Sequence, residues 1–307
     1  MQQVFTTTLN QILVFFLIMI VGFFINRKKI VPDNADKVLS KLLADIIGPV
    51  LSFETFAAKF TVENLQQKAS ILLWSIAVLA VAILAANLLA RLFSKDSYER
   101  YLYEYSLIIP NLGYMGYPLT LAVFGQDALF DMMMFCIPLN IYIYSYAIVK
   151  MNPASTKFSW KNFATPQFIM MGIGMIFGLF RIQIPSFVST TLNTISGCMG
   201  PVAMLIAGFV IAQYNLKSTV LNGKVYIIAL LRLIVLPGIY ILALKGLNTP
   251  EYLINAATCA LCLPMGLNTV VFPAAFGGDT RPGASMALIS SGLSVITIPV
   301  MFAIFAG

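Results

Sequence analysis

The sequence predicts an all-α membrane protein of ten transmembrane helices. They form a 5+5 inverted repeat in which spans 4 and 9 are broken and cross each other. Three observations lead to this class: an apolar composition, an alternation of basic loops, and motifs that recur at about half the chain length. Of the 307 residues, 59% are hydrophobic and only 10% are charged. Because a soluble domain carries roughly a quarter charged residues, this composition predicts a membrane protein.

Ten segments are apolar enough to be candidate spans, since crossing a bilayer takes roughly 20 mostly apolar residues. The sixth is short, and the second contains Asp45 and Glu54, which weaken its hydropathy signal. The first is long enough to remain as a span, so no cleaved signal peptide is expected. The candidate spans are 4–26, 38–58, 69–94, 101–123, 128–150, 166–182, 187–213, 222–245, 252–276 and 283–306.

Basic residues are distributed unevenly between alternate loops. When loops are assigned alternately to the two sides, one side receives 14 of the 19 Lys and Arg residues and the other receives four, with Arg232 inside span 8. The positive-inside rule then predicts both termini outside a cytoplasmic (inner) membrane. The formal charge of +7 is therefore attributed to cytoplasmic loops, and no nucleic acid partner is expected.

Motifs repeat across the two halves. Each half holds five spans, an odd number, so the second half enters the membrane from the opposite side, as in many secondary transporters. The predicted repeats are residues 1–152 and 153–307, and Pro49 and Pro201 are predicted kinks or gates. The matching motifs are Gly48-Pro49-Val50 with Gly200-Pro201-Val202, Pro110 with Pro264, and Phe124-Gly125-Gln126-Asp127 with Phe276-Gly277-Gly278-Asp279.

Spans 4 and 9 are rich in proline and glycine. Proline removes a backbone donor and clashes with the preceding turn, and glycine permits unusual dihedral angles, so both spans are expected to break. Broken backbone at this depth is tolerated only where protein or a wet cavity satisfies it. The alternative is a pair of simple proline kinks. The predicted helix-breaking residues are Pro110 and Pro118 in span 4, and Pro264 and Pro273 in span 9.

Asn111 and Asn268 each lie beside a predicted break. An amide side chain donates two N–H groups without a permanent charge, and helix N-termini add partial positive charge, so such a site favours a small organic anion. The alternative is that each asparagine only caps a helix. The predicted substrate-binding residues are Asn111, Asn268, Gly113, Tyr114, Met115 and Gly266.

Arg232, Glu104 and Asp45 are charged residues within or beside spans, and they are candidates for coupling or charge relay. Arg232 is expected to attract an anion or to pair with a carboxylate. No histidine is present, so proton coupling would use a carboxylate or the substrate itself. The expected coupling ion is H⁺ or Na⁺. Thr120 and Thr269 are candidate oxygen donors for Na⁺. No metal site or cofactor is expected.

The run from Asn111 to Pro118 resembles the asparagine–glycine–proline segment of the auxin efflux carrier family, which includes plant PIN-type carriers and bacterial malate or malonate permeases. Leu263-Pro264 with Asn268 is similar to the family's second crossover, and Ala284 to Pro299 to its last helix. The resemblance covers the whole chain. Tyr114, Tyr117 and Asp45 depart from the family pattern.

The resemblance implies a PIN-like homodimer that moves a carboxylate by an elevator mechanism. Spans 1, 2, 6 and 7 form the scaffold and dimer face, and spans 3–5 and 8–10 form the moving transport domain. By motif, Asn111 and Asn268 match the family's carboxylate-binding asparagines.

Three other classes of protein are alternatives to a transporter. An intramembrane aspartyl protease needs two facing aspartates, but the topology places Asp127 outside and Asp279 inside, so an enzyme is not expected. An anion channel would place a filter on a symmetry axis, and no uniform pore lining is readable. A sensor would use the same fold to report on its ligand.

Overall fold

A computed structural model describes residues 1–152, 160–214 and 222–306, and these form helices, turns and loops without a strand. The predicted boundary between the repeats, at residue 153, lies outside this range. The helices of the first half are α1 Gln2–Arg27, α2 Ala35–Leu42, α3 Gly48–Lys59, α4 Val62–Lys68, α5 Ser70–Phe93, α6 Ser97–Ile108, α7 Tyr117–Tyr142 and α8 Ile148–Met151.

The second half, like the first, contains both long helices and broken segments. A short 3₁₀ turn, Trp160–Phe163, precedes them. They are α9 Pro166–Leu179, α10 Ser186–Gly197, α11 Met199–Ala212, α12 Gly223–Leu230, α13 Leu236–Gly246, α14 Glu251–Leu261, α15 Asn268–Phe276 and α16 Arg281–Phe305.

Several helices can cross a bilayer, so the prediction of a multi-pass membrane protein is confirmed. Within the described residues, six segments meet the criteria of length and apolarity, rather than ten, because predicted spans 2, 4, 6 and 9 are short or interrupted. These six are Gln2–Arg27, Ser70–Phe93, Leu112–Met151, Ser186–Ala212, Gly223–Gly246 and Arg281–Phe305.

The longest of these segments changes direction at Gly125. There φ is +80°, a conformation that L-residues rarely adopt, so α7 is kinked at the place where the sequence predicts the loop between spans 4 and 5. Gly277 at the end of α15 has φ +77°, and these two are the only glycines with positive φ in the described part of the chain. They are 152 residues apart.

Three of the prolines in these segments follow π-turns that accommodate them. A π-turn widens the helix by one residue, which separates the proline ring from the carbonyl it would otherwise strike. The prediction that Pro118 breaks its helix is therefore wrong, because the backbone stays helical from Leu112 through it. The π-turns that end two residues before a proline are Leu43–Ile47 before Pro49, Leu112–Gly116 before Pro118, and Leu231–Val235 before Pro237.

Pro273 does not break its helix either. It lies inside α15, which runs from Asn268 to Phe276, and the helix ends only at the left-handed Gly277. Pro273 carries no N–H, but its carbonyl accepts the N–H of Gly278 at 2.8 Å, which closes the last turn. The prediction of a break at Pro273 is therefore wrong.

Two close helix pairs lie outside the region of the breaks: α1 packs along α11, and α3 packs along α9. Glycine permits both approaches. A Cβ atom on Gly22 would lie 2.6 Å from the carbonyl oxygen of Leu205, and one on Gly174 would lie 2.7 Å from that of Phe53. Any larger residue would push the paired helices apart.

Helices α5, α7, α8, α13, α15 and α16 surround α6 and α14. Every residue of α6 from Tyr101 to Ile108 is buried, although this segment is polar in sequence. Contacts with α5, the π-turn Leu231–Val235, α15 and α16 enclose it. By contrast, Leu84, Leu88 and Leu92 on α5 are largely exposed, as expected for side chains that face lipid.

Candidate functional site

The two predicted breaks meet in space. The first break comprises residues 109–111, between α6 and the π-turn Leu112–Gly116, and the second break comprises residues 262–267, between α14 and α15. Pro110 and Met265 form an isolated antiparallel bridge, in which the N–H of Asn111 donates to the carbonyl oxygen of Pro264 at 2.9 Å. The backbones of the two halves are therefore joined where both helices are interrupted.

The first break is held mainly by backbone groups. The N–H of Ile109 donates to the carbonyl of Tyr105 at 2.8 Å, and that of Leu112 donates to the carbonyl of Pro110 at 2.9 Å. The carbonyl of Asn111 accepts the N–H of Gly116, also at 2.9 Å. These bonds join backbone groups to one another without help from distant side chains.

The second break is held by side chains as well as by backbone groups. Ser290 on α16 accepts the N–H of Met265 at 3.0 Å, and Thr269 donates its hydroxyl to the carbonyl of Gly266 at 2.9 Å. Arg232 donates from Nη1 to the carbonyl of Leu261, the last residue of α14, at 2.8 Å. A cation at a helix C-terminus also interacts favourably with the helix dipole.

Both breaks border a cavity of about 850 Å³. Most of its polar lining residues are uncharged. The charged lining residues, Asp36, Lys37, Lys41 and Asp45, all come from α2 and the π-turn that follows it. The uncharged polar lining residues are Ser40, Asn111, Tyr114, Tyr117, Asn140, Tyr144, Gln167, Gln213, Tyr214, Asn268 and Thr280.

Most of the predicted binding residues line this cavity: Asn111, Asn268, Gly113, Tyr114 and Gly266. Asn111 is largely buried and Asn268 is partly buried. The carbonyl of Pro110 lies 3.3 Å from the position that a Cβ atom on Gly266 would occupy, so glycine permits the close crossing. The alternative of simple kinks does not describe these two segments, because the helical hydrogen bonding stops at both.

Met115 does not reach the cavity, contrary to the prediction from the sequence. The sequence predicts that it contacts substrate, but it is only 3% exposed and does not line the cavity. It lies within the π-turn Leu112–Gly116, which changes the direction of successive side chains relative to a regular helix. Its neighbours Gly113 and Tyr114 face the cavity in its place.

Asn140 was missed. It lies on α7, lines the cavity and donates from Nδ2 to the hydroxyl of Tyr117 at 3.2 Å. A signal was present in the sequence, because Asn140 is an uncharged polar residue two positions after Pro138 in an otherwise apolar span. Gln167 of α9 also lines the cavity and hydrogen bonds the hydroxyl of Ser52 on α3.

The three candidate relay residues lie in different places. Asp45 is exposed and lines the cavity, whereas Glu104 and Arg232 do not. Glu104 is 8% exposed on α6, where Asn87 hydrogen bonds its side chain. The structure therefore brings Asp45 alone of the three to the predicted site.

Arg232 is 1% exposed, and the structure shows no carboxylate partner for it. None of the ion pairs found among the described residues includes it, so the expected pairing with Asp45, Glu54 or Glu104 is absent there. Its Nε and Nη2 atoms are buried without a hydrogen-bond partner. Its one hydrogen bond, to Leu261, stabilises the end of α14.

The candidate sodium ligands are engaged elsewhere. Thr120 donates its hydroxyl to the sulfur of Met132 at 3.0 Å, and neither Thr120 nor Thr269 lines the cavity. Asp127 lies just after the kink of α7 and pairs with Lys59 at 2.6 Å, and Asp279 lies in the loop before α16 and pairs with Arg281 at 2.8 Å. Neither aspartate lines the cavity.

The class of protein follows from these features: it is a multi-pass membrane transport protein. It has several apolar helices, two interrupted helices joined at their breaks, and a cavity beside the junction. The chain belongs to the auxin efflux carrier family, whose members are transporters. The family described as membrane transport protein matches it twice, over residues 7–160 and 154–302. The chain is also similar to an uncharacterised transporter of Methanocaldococcus jannaschii, with 24% identity over 94% of this chain and 96% of that protein. The resemblance seen in the sequence is confirmed.

Proposed function

We propose that this protein is a secondary active transporter that carries a small organic anion, a carboxylate, across the cytoplasmic membrane by elevator-type alternating access. One observation carries the proposal. The two helix breaks are joined at Pro110 and Met265, and Asn111 and Asn268 beside them line the same cavity. Broken helices that frame a site between two repeats are the usual arrangement in secondary transporters.

Ten spans in two inverted repeats account for the helices best. Splitting Leu112–Met151 at Gly125 and counting α2–α3, α9 and the α14–α15 segment as spans gives the predicted number. The positive-φ glycines recur at an offset of 152 residues, and the family matches the chain once in each half. Exchanging the repeats also converts the α1–α11 pair into the α9–α3 pair.

The shape of the cavity favours a carrier over a channel. Its lining includes Asp36, Lys37 and Thr280, which lie near helix ends on the side rich in Lys and Arg. No lining residue comes from the loops on the other side, at residues 59–61, 124–127 and 247–250, all of which the structure describes. With that basic side in the cytoplasm and both termini outside, the cavity faces inward.

The chemistry of the lining suits an anion that must be released again. Asn111, Asn140 and Asn268 offer amide N–H donors, and α15 begins at Asn268, so its N-terminal dipole points toward the site. A lysine or arginine at this depth would hold an anion more tightly and slow its release. Here the charged lining residues are restricted to α2 and the π-turn after it.

Two bodies would move relative to each other. The scaffold and dimer face would comprise α1–α3 and α9–α11, and the remaining helices around the breaks would form the transport domain of a homodimer. Polar contacts that link these bodies at the closed side include the ion pair of Lys59 with Asp127 and the hydrogen bond from Gln126 to Thr55 at 3.1 Å. Both would break when the transport domain moves.

Coupling to H⁺ or to Na⁺ is part of the proposal, and Asp45 is its first candidate. It alone of the three proposed relay residues borders the cavity. Carboxylate uptake into liposomes should depend on an inward proton gradient and should lose that dependence in Asp45→Asn. Uptake that follows a sodium gradient, and is unchanged in Asp45→Asn, would reject Asp45 as the coupling residue.

Ligand binding tests the proposal directly. Purified protein is heated with acetate, malonate or benzoate, because a ligand that binds only the folded state raises the melting midpoint. Asn111→Ala should lower the affinity for the bound acid by roughly ten- to a hundredfold, as expected for loss of a hydrogen bond to a charged group. It should leave the midpoint without ligand nearly unchanged.

Asn193→Ala is the matched control, because Asn193 is exposed on α10 and hydrogen bonds only within its own helix. Its affinity should equal that of the wild type. If none of the three acids shifts the midpoint or enters liposomes, the proposal of a carboxylate carrier fails. Equal affinities for wild type and Asn111→Ala would reject the site while leaving transport open.

A further inference from the structure

Tyr105 lies directly behind the candidate binding site without entering it. It is on the last turn of α6, is 0% exposed, and does not line the cavity. Its carbonyl accepts the N–H of Ile109 at 2.8 Å, so its backbone is fixed at the start of the first break. Its hydroxyl accepts a hydrogen bond from Nδ2 of Asn268 at 3.0 Å.

This hydrogen bond connects the two halves of the site. Tyr105 belongs to the helix before the first break, whereas Asn268 is the first residue of the helix after the second break. An amide nitrogen has two hydrogens, so one is used by Tyr105 and the other remains for a ligand in the cavity. The phenol is rigid and buried, which makes it a fixed reference for the amide plane.

The two proposed carboxylate-binding asparagines differ in this respect. Within the described residues, the side chain of Asn111 has no hydrogen-bond partner, and its position is set by its backbone bond to Pro264. Asn268 has the additional bond from its side chain to Tyr105. Asn140 is also bonded to a tyrosine, but Tyr117 lines the cavity and would touch substrate itself.

We propose that Tyr105 is a positioning residue, whose buried hydroxyl holds the amide of Asn268 in the orientation that receives the carboxylate. This rests on the proposed function. A carboxylate only accepts hydrogen bonds, so an amide that turns half a revolution presents its oxygen and repels the ligand. The bond to Tyr105 holds the amide plane with Nδ2 as the donor before substrate arrives, and binding then loses less side-chain entropy.

The test is a double-mutant cycle between Tyr105→Phe and Asn268→Ala. The ligand is whichever of acetate, malonate and benzoate raises the melting midpoint of the wild type most. Tyr105→Phe should raise its Kd by about three- to tenfold, the effect of one hydrogen bond. Tyr105→Phe combined with Asn268→Ala should bind no more weakly than Asn268→Ala alone, because Tyr105 acts through that amide.

Tyr103→Phe is the matched control. Tyr103 is on the same helix, is equally buried, and donates its hydroxyl to Glu99 at 2.7 Å, away from the cavity. Both phenylalanine variants should lower the melting midpoint without ligand by similar amounts, but only Tyr105→Phe should change the Kd. A purely structural role for Tyr105 would give the two variants the same Kd.

The outcomes separate this inference from the function it rests on. If Asn268→Ala weakens binding but Tyr105→Phe does not, or if the two effects multiply in the double variant, the positioning role is wrong and the site stands. If Asn268→Ala binds like the wild type, or none of the three acids binds the wild type, the carboxylate site fails and the role of Tyr105 falls with it.

Discussion

The first and second breaks look alike in sequence but are held together differently. Around the first break, backbone N–H groups pair with backbone carbonyls, as Leu112 does with Pro110. Around the second break, the side chains of Arg232, Ser290 and Thr269 satisfy the free backbone groups. A backbone hydrogen bond survives most substitutions of the residues that form it, whereas a side-chain hydrogen bond is lost when that side chain is replaced. Single substitutions should therefore damage the second break more than the first.

The largest difference is expected from glycine-to-alanine substitutions beside each break. A Cβ atom on Gly283 would lie 2.1 Å from the backbone oxygen of Thr269, next to the second break. One on Gly116, after the first break, would clash with the side-chain tips of Leu263 and Met132, at 2.5 and 2.7 Å, and would lie at an ordinary 3.4 Å from the backbone oxygen of Asn111. Gly283→Ala should cost roughly 3 kcal/mol of unfolding free energy and Gly116→Ala roughly 1 kcal/mol, because side-chain tips yield and backbone does not.

Denaturant titration in detergent micelles measures both values. Gly292→Ala is the control, because Gly292 lies on the same helix as Gly283 and has no atom within 4 Å of the position that an added methyl group would occupy. It should be neutral or slightly stabilising, since alanine favours helix. Equal losses for Gly283→Ala and Gly116→Ala would contradict the contrast between the breaks.

A smaller effect is expected from Ser290→Ala, which removes the partner of the Met265 N–H. An unsatisfied buried donor costs about 1–3 kcal/mol. Hydrogen exchange should accelerate across residues 262–267 and remain unchanged across 109–111. Ser294→Ala is the control on the same helix, because the hydroxyl of Ser294 donates to the nearby carbonyl of Ser291 at 2.7 Å. Equal acceleration at both breaks would show that they are held as one unit.

The smallest effect concerns the aspartates that follow the breaks. Asp127, after the first break, pairs with Lys59 of α3, whereas Asp279, after the second, pairs with Arg281 two residues further along the chain, at the start of α16. The hydrogen bond from Lys59 lowers the pKa of Asp127 below its usual value. Because the folded pKa is depressed, the stabilisation is complete above about pH 4 and is lost as pH falls through the folded pKa.

Asp127→Asn should therefore lower the melting midpoint near pH 7 and match the wild type at the acid end of a pH series. Asp127 is 75% exposed, so the loss should stay below about 0.5 kcal/mol. Asp279→Asn removes a bond to a residue two positions further along the chain and should leave contacts between the two bodies intact. A difference between Asp127→Asn and wild type that persists unchanged at low pH would rule out the ion pair as its cause.

The sequence predicted the features that depend on local backbone chemistry. Pro110 and Pro264 remove donors, so the breaks could be located, and five of the six residues predicted to bind substrate line the cavity. The lining of the cavity by Asn111 and Asn268 agrees with that reasoning. The family could also be recognised, because its motifs occur in order along the whole chain.

The errors arose where tertiary packing decides. Pro118 and Pro273 lack a backbone N–H donor just as Pro110 does. However, a preceding π-turn accommodates Pro118, and α15 continues through Pro273 to Gly277. The same π-turn directs Met115 away from the cavity. The contacts of Tyr105 and Ser290 span 163 and 25 residues of sequence, so no local pattern could reveal them.

The backbone bond from Asn111 to Pro264 has a thermodynamic consequence for the proposed carrier. In the proposed elevator mechanism, this bond would tie the two half-sites together inside one moving body, so the distance between the asparagines would be the same whichever side the site faces. A site with unchanged geometry has the same intrinsic affinity on both sides. Net flux then follows the concentration and electrical gradients of the anion and its coupling ion, and exchange of labelled for unlabelled substrate runs equally well in either direction.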